Sequence, residues 1–227
     1  MKIAYCFSGY LRRFWDNSSL QTNIIRRAPG DLFVHTWDTL NYAGPTWHGD
    51  VGLASTRIDA RILQKLAEQY GPFAKLVVER APEFPAHLMP TIQGRYSCWR
   101  ANQFKCEHEM QQGFCYDIVV NLRFDLVVHE PFDFPKAIER GALYCLENNN
   151  CIAQGLCCDI LNFGCSRTMD IVNELYEAIV TQATALSGER FLTQWCAQRQ
   201  IPFRAVATRC SLLRSNGSLM AIPGLVR

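Results

Sequence analysis

The sequence predicts an α/β domain with a largely parallel central sheet and helices on both faces. Three observations carry that prediction. Short apolar runs, such as those at residues 2–7, 31–37, 75–79 and 118–120, have the length and composition of buried strands. Helix-forming segments separate them through most of residues 1–130, an order that favours parallel pairing with the crossovers covering both faces of the sheet. No linker divides the chain, so its 227 residues read as one domain. A chain of that length buries roughly 70–75% of its unfolded surface and needs no staples.

Each element has a local reason. Residues 2–7 (KIAYCF) form a strand stopped by Ser8-Gly9. Asp16, Asn17 or Ser18 caps a helix carrying Leu20, Ile24 and Ile25, which ends before Pro29-Gly30. Residues 31–37 (DLFVHTW) make a second strand, with Asp38 just beyond its end and His35 and Trp37 within it. Residues 39–57, rich in Gly, Pro, Thr and Asn, read as a long surface loop, functional or mobile inside a compact domain. Ile62, Leu63, Leu66 and Tyr70 mark an amphipathic helix closed by Gly71-Pro72. Lys75 to Glu79 is a third strand, and a loop over 80–95 follows with Pro82, Pro85 and Pro90. Ser97 caps a helix whose apolar face runs Trp99, Cys106 and Met110, with Gln103 on the same stripe. In "YDIVVNLRFDLVVH" (116–129) the apolar strand at Ile118, Val119 and Val120 runs into Asn121, Arg123 and Asp125 before Leu126 resumes it. Beyond lie a short helix near 134–140, a strand at 142–146, a polar turn at Asn148-Asn149-Asn150 and a strand at 160–164. Met169, Val172, Leu175, Tyr176 and Ile179 fall in register on one long helix. A second helix begins at Gly188, residues 203–207 form a last strand, and the tail after 210 reads as irregular.

Composition narrows the function classes. Hydrophobic content of 48% and charged content of 19% describe an ordinary globular protein. No apolar run approaches the ~20 residues of a membrane helix, and the opening residues read as a strand rather than a signal peptide. Net charge is +2 with no basic block, which argues against a nucleic-acid partner yet suits a local pocket for an anion. The eleven cysteines are odd in number, irregularly spaced and without a CxxC pair. They are read as free thiols packed as small hydrophobes in a reducing cytoplasm, ahead of a structural metal or disulfides.

In open α/β sheets, ligands bind beyond the carboxyl ends of the strands. Three polar clusters sit at such ends: Ser8-Gly9 with Arg12 and Arg13, Asp38 after "HTW", and Arg123 with Asp125 after "DIVVNL". If the strands are parallel neighbours, all three reach one edge. Gly9 permits a close backbone turn, and an Arg offers donors matched to phosphate oxygens, although the motif is neither G-x-G-x-x-G nor a Walker loop; Arg12 and Arg13 are otherwise solvated surface residues. Asp38 accepts hydrogen bonds from a ribose or base, or caps a turn. For Arg123 and Asp125 two readings stand. One is a salt bridge that closes the strand. In the other, Asp125 binds Mn²⁺ or Mg²⁺, which in turn holds a diphosphate.

The order of "KIAYCFSGYLRRF", "DLFVHTWD", "YDIVVNLRFDL", "DILNFGCSRTMDIVNELY" and "GERFLTQWCAQRQI" resembles small glycosyltransferases of the GT-A fold, nearest in look to those encoded in polysaccharide clusters and by large DNA viruses of algae. The likeness spans residues 2 to 201. It implies a single GT-A-like (Rossmann-like) domain, with a nucleotide-binding half over 1–128 and an acceptor-side half over 129–227. It also implies a nucleotide-sugar donor, a UDP-sugar first among them, a glycan or other hydroxyl acceptor, and a divalent metal on the diphosphate. Carried over, Ser8, Gly9 and Arg12 line the nucleotide site, Asp38 contacts base or ribose, and Arg123 and Asp125 occupy the place of the family's acidic D-x-D motif. Here the first acidic position is Arg123, and none of the five histidines lies beyond residue 129. Asp125 is thus the sole carboxylate ligand, and Arg123 takes over part of the charge neutralisation, as basic residues do in metal-independent transferases. Asp159 resembles the acidic residue facing the acceptor and Glu189 lies near the same region. Either is the general base of an inverting transfer, Asp159 in preference. The alternatives are a strand-start turn for Asp159 and a helix-dipole partner for Glu189. As a whole the chain has two other readings: a catalytically silent nucleotide- or carbohydrate-binding module, or an unrelated doubly wound enzyme. The second is disfavoured because no glycine-rich fingerprint follows the first strand.

Overall fold

A computed structural model of the chain describes residues 1–42, 56–89, 91–181 and 186–222. Ten strands are present: β1 (Ile3–Ser8), β2 (Asp31–Trp37), β3 (Lys75–Glu79), β4 (Ile118–Arg123), β5 (Leu126–Val128), β6 (Leu143–Leu146), β7 (Asn162–Gly164), β8 (Phe203–Val206), β9 (Cys210–Leu213) and β10 (Leu219–Ala221). Seven of them form one sheet in the order β3-β2-β1-β4-β7-β6-β8. Six run parallel and β7 is reversed, pairing antiparallel with both β4 and β6. The fold is therefore α/β with a mostly parallel mixed sheet, as the sequence predicts.

The continuous apolar runs exist because both faces of the sheet are covered. Side chains alternate across a strand, so Ile3, Tyr5 and Phe7 of β1 enter one core while Ala4 and Cys6 enter the other. The second of these cores is roofed by α2 (Thr91–Gln112), α4 (Ser166–Asn173), α5 (Leu175–Val180) and α6 (Gly188–Gln198). The first is closed by α1 (Ala60–Tyr70), by turns after β1 and by a small antiparallel sheet of β5, β9 and β10. Between β6 and β7 lies the short α3 (Asn149–Ile152). Among the described residues no helix is long and apolar enough to cross a membrane.

Several elements differ from the sequence prediction, each for a tertiary reason. The segment expected to be a capped helix over Leu20–Ile25 is a 3-10 turn at Phe14–Asp16 followed by a π-helical turn at Gln21–Ile25. Asn17 spends its amide elsewhere, donating to the carbonyls of Phe124 (3.2 Å) and Leu126 (2.7 Å). α2 starts at Thr91, not at Ser97, and its Met110 is 78% exposed rather than part of the apolar face. No helix forms near 134–140. There Phe132 and Phe134 both pack edge-on against Phe163. The long helix after β7 is broken at Glu174, one residue past Asn173, whose amide bonds back to the Met169 carbonyl at 2.9 Å, a local competition that bends helices. The tail beyond 210 is not irregular, since it supplies β9 and β10. Most of the loop expected over 39–57 lies outside the described residues.

Candidate functional site

The topology brings the polar clusters together. Parallel pairing sets Ser8 opposite both His35 and Arg123, so β1, β2 and β4 end at one edge. Because β7 runs the other way, the residues entering it, Asp159 and Ile160, arrive at that same edge. A cleft of about 520 Å³ opens there, within the usual range for small-ligand sites. Ser8, Gly9, Arg12, Arg123, Asp125, Asp159 and Glu189 all line it.

Of the expected site residues only Asp38 is not among the lining. Its carboxylate pairs with Arg57, and its backbone is pinned to Glu79 and Ile58. The base or ribose contact expected of it is not built here. Tyr10, Trp37 and Tyr42 stand on the wall instead, with both Trp37 and Tyr42 at 6.2 Å from the Tyr10 ring, and the Tyr10 hydroxyl donates to Gln93 Oε1 at 3.0 Å.

The turn after β1 is held from behind. The Gly9 N–H donates to Ser97 Oγ at 2.6 Å, and that hydroxyl lies 2.7 Å from His35 Nδ1. Gly9 has φ +93, where a side chain is disfavoured, although the space around it is open. Arg12 sits at φ 50, an unusual conformation for a residue with a Cβ. Its N–H bonds the Leu40 carbonyl at 2.7 Å, so the strain is fixed by tertiary contact. His35 is fully buried, with Nε2 3.4 Å from Glu79 Oε2 but without hydrogen-bond geometry. Burial first, opposed by Glu79, pushes its pKa down to about 4. It is a neutral strut.

Asp125 is 3% exposed and ringed by guanidiniums. Arg123 donates to both oxygens, Nε to Oδ1 at 2.9 Å and Nη2 to Oδ2 at 2.8 Å, and Arg12 Nε lies 3.3 Å from Oδ2. Arg214, which follows β9, also acts on it and lines the cleft. Burial alone would raise the carboxyl's pKa, but Arg123, Arg12 and Arg214 outweigh it and bring it down to about 2. Both readings of the Arg123–Asp125 pair can now be compared with geometry. The salt bridge is present. A divalent cation does not fit, because both Asp125 oxygens already accept guanidinium hydrogens and the surrounding charge is positive.

Across the cleft, Arg95 in the first turns of α2 donates through Nη2 to Asp159 Oδ2 at 3.3 Å and to the Gly188 carbonyl at 3.1 Å. Asp159 is 23% exposed. Glu189 lies in the first turn of α6, where its carbonyl accepts from Thr193 Oγ1 at 2.7 Å. First turns of α2 and α6 thus both border the cleft, and helix N-termini favour negative charge. Sequence reasoning missed Arg95, Gly188, Gln93 and Arg214. Gln93 and Arg95 fall in the segment read as a loop over 80–95, Gly188 opens a helix that was read at that position but given no role, and Arg214 is in the tail read as irregular. The run "CSLL" before Arg214 is the signal that could have found it.

The cluster of Cys106, Glu109 and Asp170 has metal-ligand types within 4.8 Å. Lys105 Nζ already bonds two of the three, Glu109 Oε2 at 2.9 Å and Asp170 Oδ1 at 2.6 Å. No protein-family model matches the chain, and no curated protein shows a significant sequence match to it.

Proposed function

We propose that this protein is a glycosyltransferase that moves a sugar from a nucleotide-diphosphate sugar, a UDP-sugar in the first instance, to a hydroxyl of a glycan acceptor. One observation carries the reading: a cleft at the carboxyl edge of the sheet is lined both by Arg12, Arg123 and Arg214 and by two acceptor-type carboxylates, Asp159 and Glu189. Tyr10 and Tyr42, backed by the buried Trp37, suit a nucleobase, which presents a flat face. Arg12, Arg123 and Arg214 suit the diphosphate. Asp159 or Glu189 takes the proton from the acceptor hydroxyl as its oxygen bonds to the anomeric carbon. The bond from that carbon to the phosphate oxygen breaks, and its electron pair leaves on the diphosphate, where guanidiniums stabilise the charge. Attack from the face opposite the leaving group gives inversion. A reducing, cytoplasmic setting belongs to the same proposal and suits eleven unpaired cysteines.

A second reading, a binding module without turnover, is favoured by the Arg95 contact at 3.3 Å, which ties up one oxygen of Asp159. Incubation with a panel of UDP-sugars separates the two. Release of UDP above the rate in buffer supports the transferase; saturable binding with no release leaves the module.

A further inference from the structure

The arginine cage around Asp125 deepens that reading, because it decides how the diphosphate is held. Asp125 is too enclosed to be a cation ligand, yet it lines the cleft and gathers three guanidiniums. Arg12, Arg123 and Arg214 all border the cleft beside it. A nucleotide sugar carries two negative charges on its diphosphate. Arg123 is 34% exposed and spends Nε and one Nη2 hydrogen on Asp125. Its remaining N–H donors have no acceptor among the described residues, and the residue borders the cavity. Arg12 is brought to the same carboxylate by a backbone at φ 50, held at 2.7 Å to Leu40. Arg214 arrives from the second sheet, whose strand β9 is tied to the Asp125 carbonyl by the Leu213 N–H at 2.7 Å. Three separate segments therefore place guanidiniums at one point, and a fixed planar fork is the donor geometry that pyrophosphate oxygens accept in pairs.

We propose that the cleft binds diphosphate directly between Arg12, Arg123 and Arg214 without a divalent cation, Asp125 acting as the internal counter-ion that aligns the guanidiniums. Asp125 is then a positioning residue, and the place of a metal is taken by arginine. The proposal rests on the nucleotide-sugar reading only for the identity of the ligand, so inorganic pyrophosphate is a fair probe.

Calorimetric titration of the purified protein with inorganic pyrophosphate in EDTA, and with UDP both in EDTA and with Mn²⁺, tests it. Both anions are expected to bind in EDTA, and Mn²⁺ should change the UDP affinity by less than about threefold. Arg12→Gln and Arg214→Gln, checked for fold by circular dichroism, should each weaken pyrophosphate by about ten- to a hundredfold, the usual loss for a hydrogen bond to a charged group. Failure of pyrophosphate and UDP to bind in EDTA overturns the proposal, whether or not Mn²⁺ restores UDP. So does full affinity in both Gln variants. Pyrophosphate binding in EDTA by a protein that neither binds nor turns over any UDP-sugar leaves the clamp standing and removes the glycosyltransferase reading instead.

Discussion

On the buried face of α2, Lys105 is enclosed against two carboxylates, while at the sheet's carboxyl edge Asp125 is buried against Arg123 and Arg12, with Arg214 acting on it as well. Lys105 is wholly enclosed and donates to Glu109 (2.9 Å), Ser166 (2.7 Å) and Asp170 (2.6 Å). An ammonium has three N–H donors, so nothing is left over. Asp125 is buried as deeply, but its partner Arg123 keeps N–H donors beyond those it gives to Asp125, and a cavity runs along it. Buried charge is thus no sign of a site by itself. What separates the two clusters is whether a donor is left over, and whether it faces a space that a ligand can enter.

The largest effect expected belongs to the cleft. Asp159→Asn keeps the shape of the side chain and removes its basicity, so transfer should fall by about 10²–10⁴-fold, the usual worth of a general base. UDP affinity in EDTA should be unchanged. If transfer continues at the wild-type rate, the base is Glu189, and Glu189→Gln should then carry the loss.

Next comes the sealed cluster. Lys105→Met leaves Glu109 and Asp170 facing each other without their ammonium, and breaking a buried pair in this way costs about 3–5 kcal/mol. Urea unfolding reads that loss. Pyrophosphate affinity of the remaining folded protein should not move. A loss of binding in a folded variant would show that the two clusters are not separate in role.

What the sequence made legible follows the same division. Ser8, Gly9, Arg12, Arg123 and Asp125 were found because a strand end is a local feature, and parallel strands deliver their ends to one edge. Asp159 and Glu189 came only through family likeness, and the reversed strand β7 that explains Asp159's position is a tertiary fact. Ser97 misled, since a serine before an apolar run is a helix-start signal, whereas here its hydroxyl serves Gly9 and His35 from the interior of α2. That error hid Gln93 and Arg95. Arg214 was hidden because β9 and β10 are short and owe their form to pairing, β9 with β5 and β10 with β9. The Asp38–Arg57 pair was not legible, because the two residues lie far apart in sequence.

A smaller effect comes from acid. The Asp125 carboxyl is lowered from 3.8 to about 2 on folding. Its contribution, about 2 kcal/mol, is therefore fully present above pH 4 and is lost as pH falls through the folded value. His35, lowered from 6.5 to about 4 by burial, also weakens the fold on acidification, but over the window between those two values. Unfolding free energies measured from pH 7 to pH 2 should fall in two stages. Asp125→Asn should flatten only the lower one. A single stage that Asp125→Asn leaves untouched would mean the arginine cage is not stabilising the carboxylate.

The smallest effect sharpens the comparison most, because it moves one cleft atom without changing any charge. A methyl group added at Gly188 would collide with Asp159 Oδ2, with Arg95 Nη2 3.7 Å away. Gly188 has ordinary helical-region backbone at the first position of α6, so Ala there carries no conformational penalty and should not lower stability. The Asp159 carboxylate, held by the 3.3 Å contact to Arg95 Nη2, is the part that must give. Gly188→Ala should therefore reduce kcat by about tenfold, about 1.4 kcal/mol in the barrier, with UDP affinity and urea midpoint held. Equal losses in kcat and in UDP binding would instead place Gly188 against the donor, and the separate roles given to the Asp125 arginines and to Asp159 would have to be redrawn.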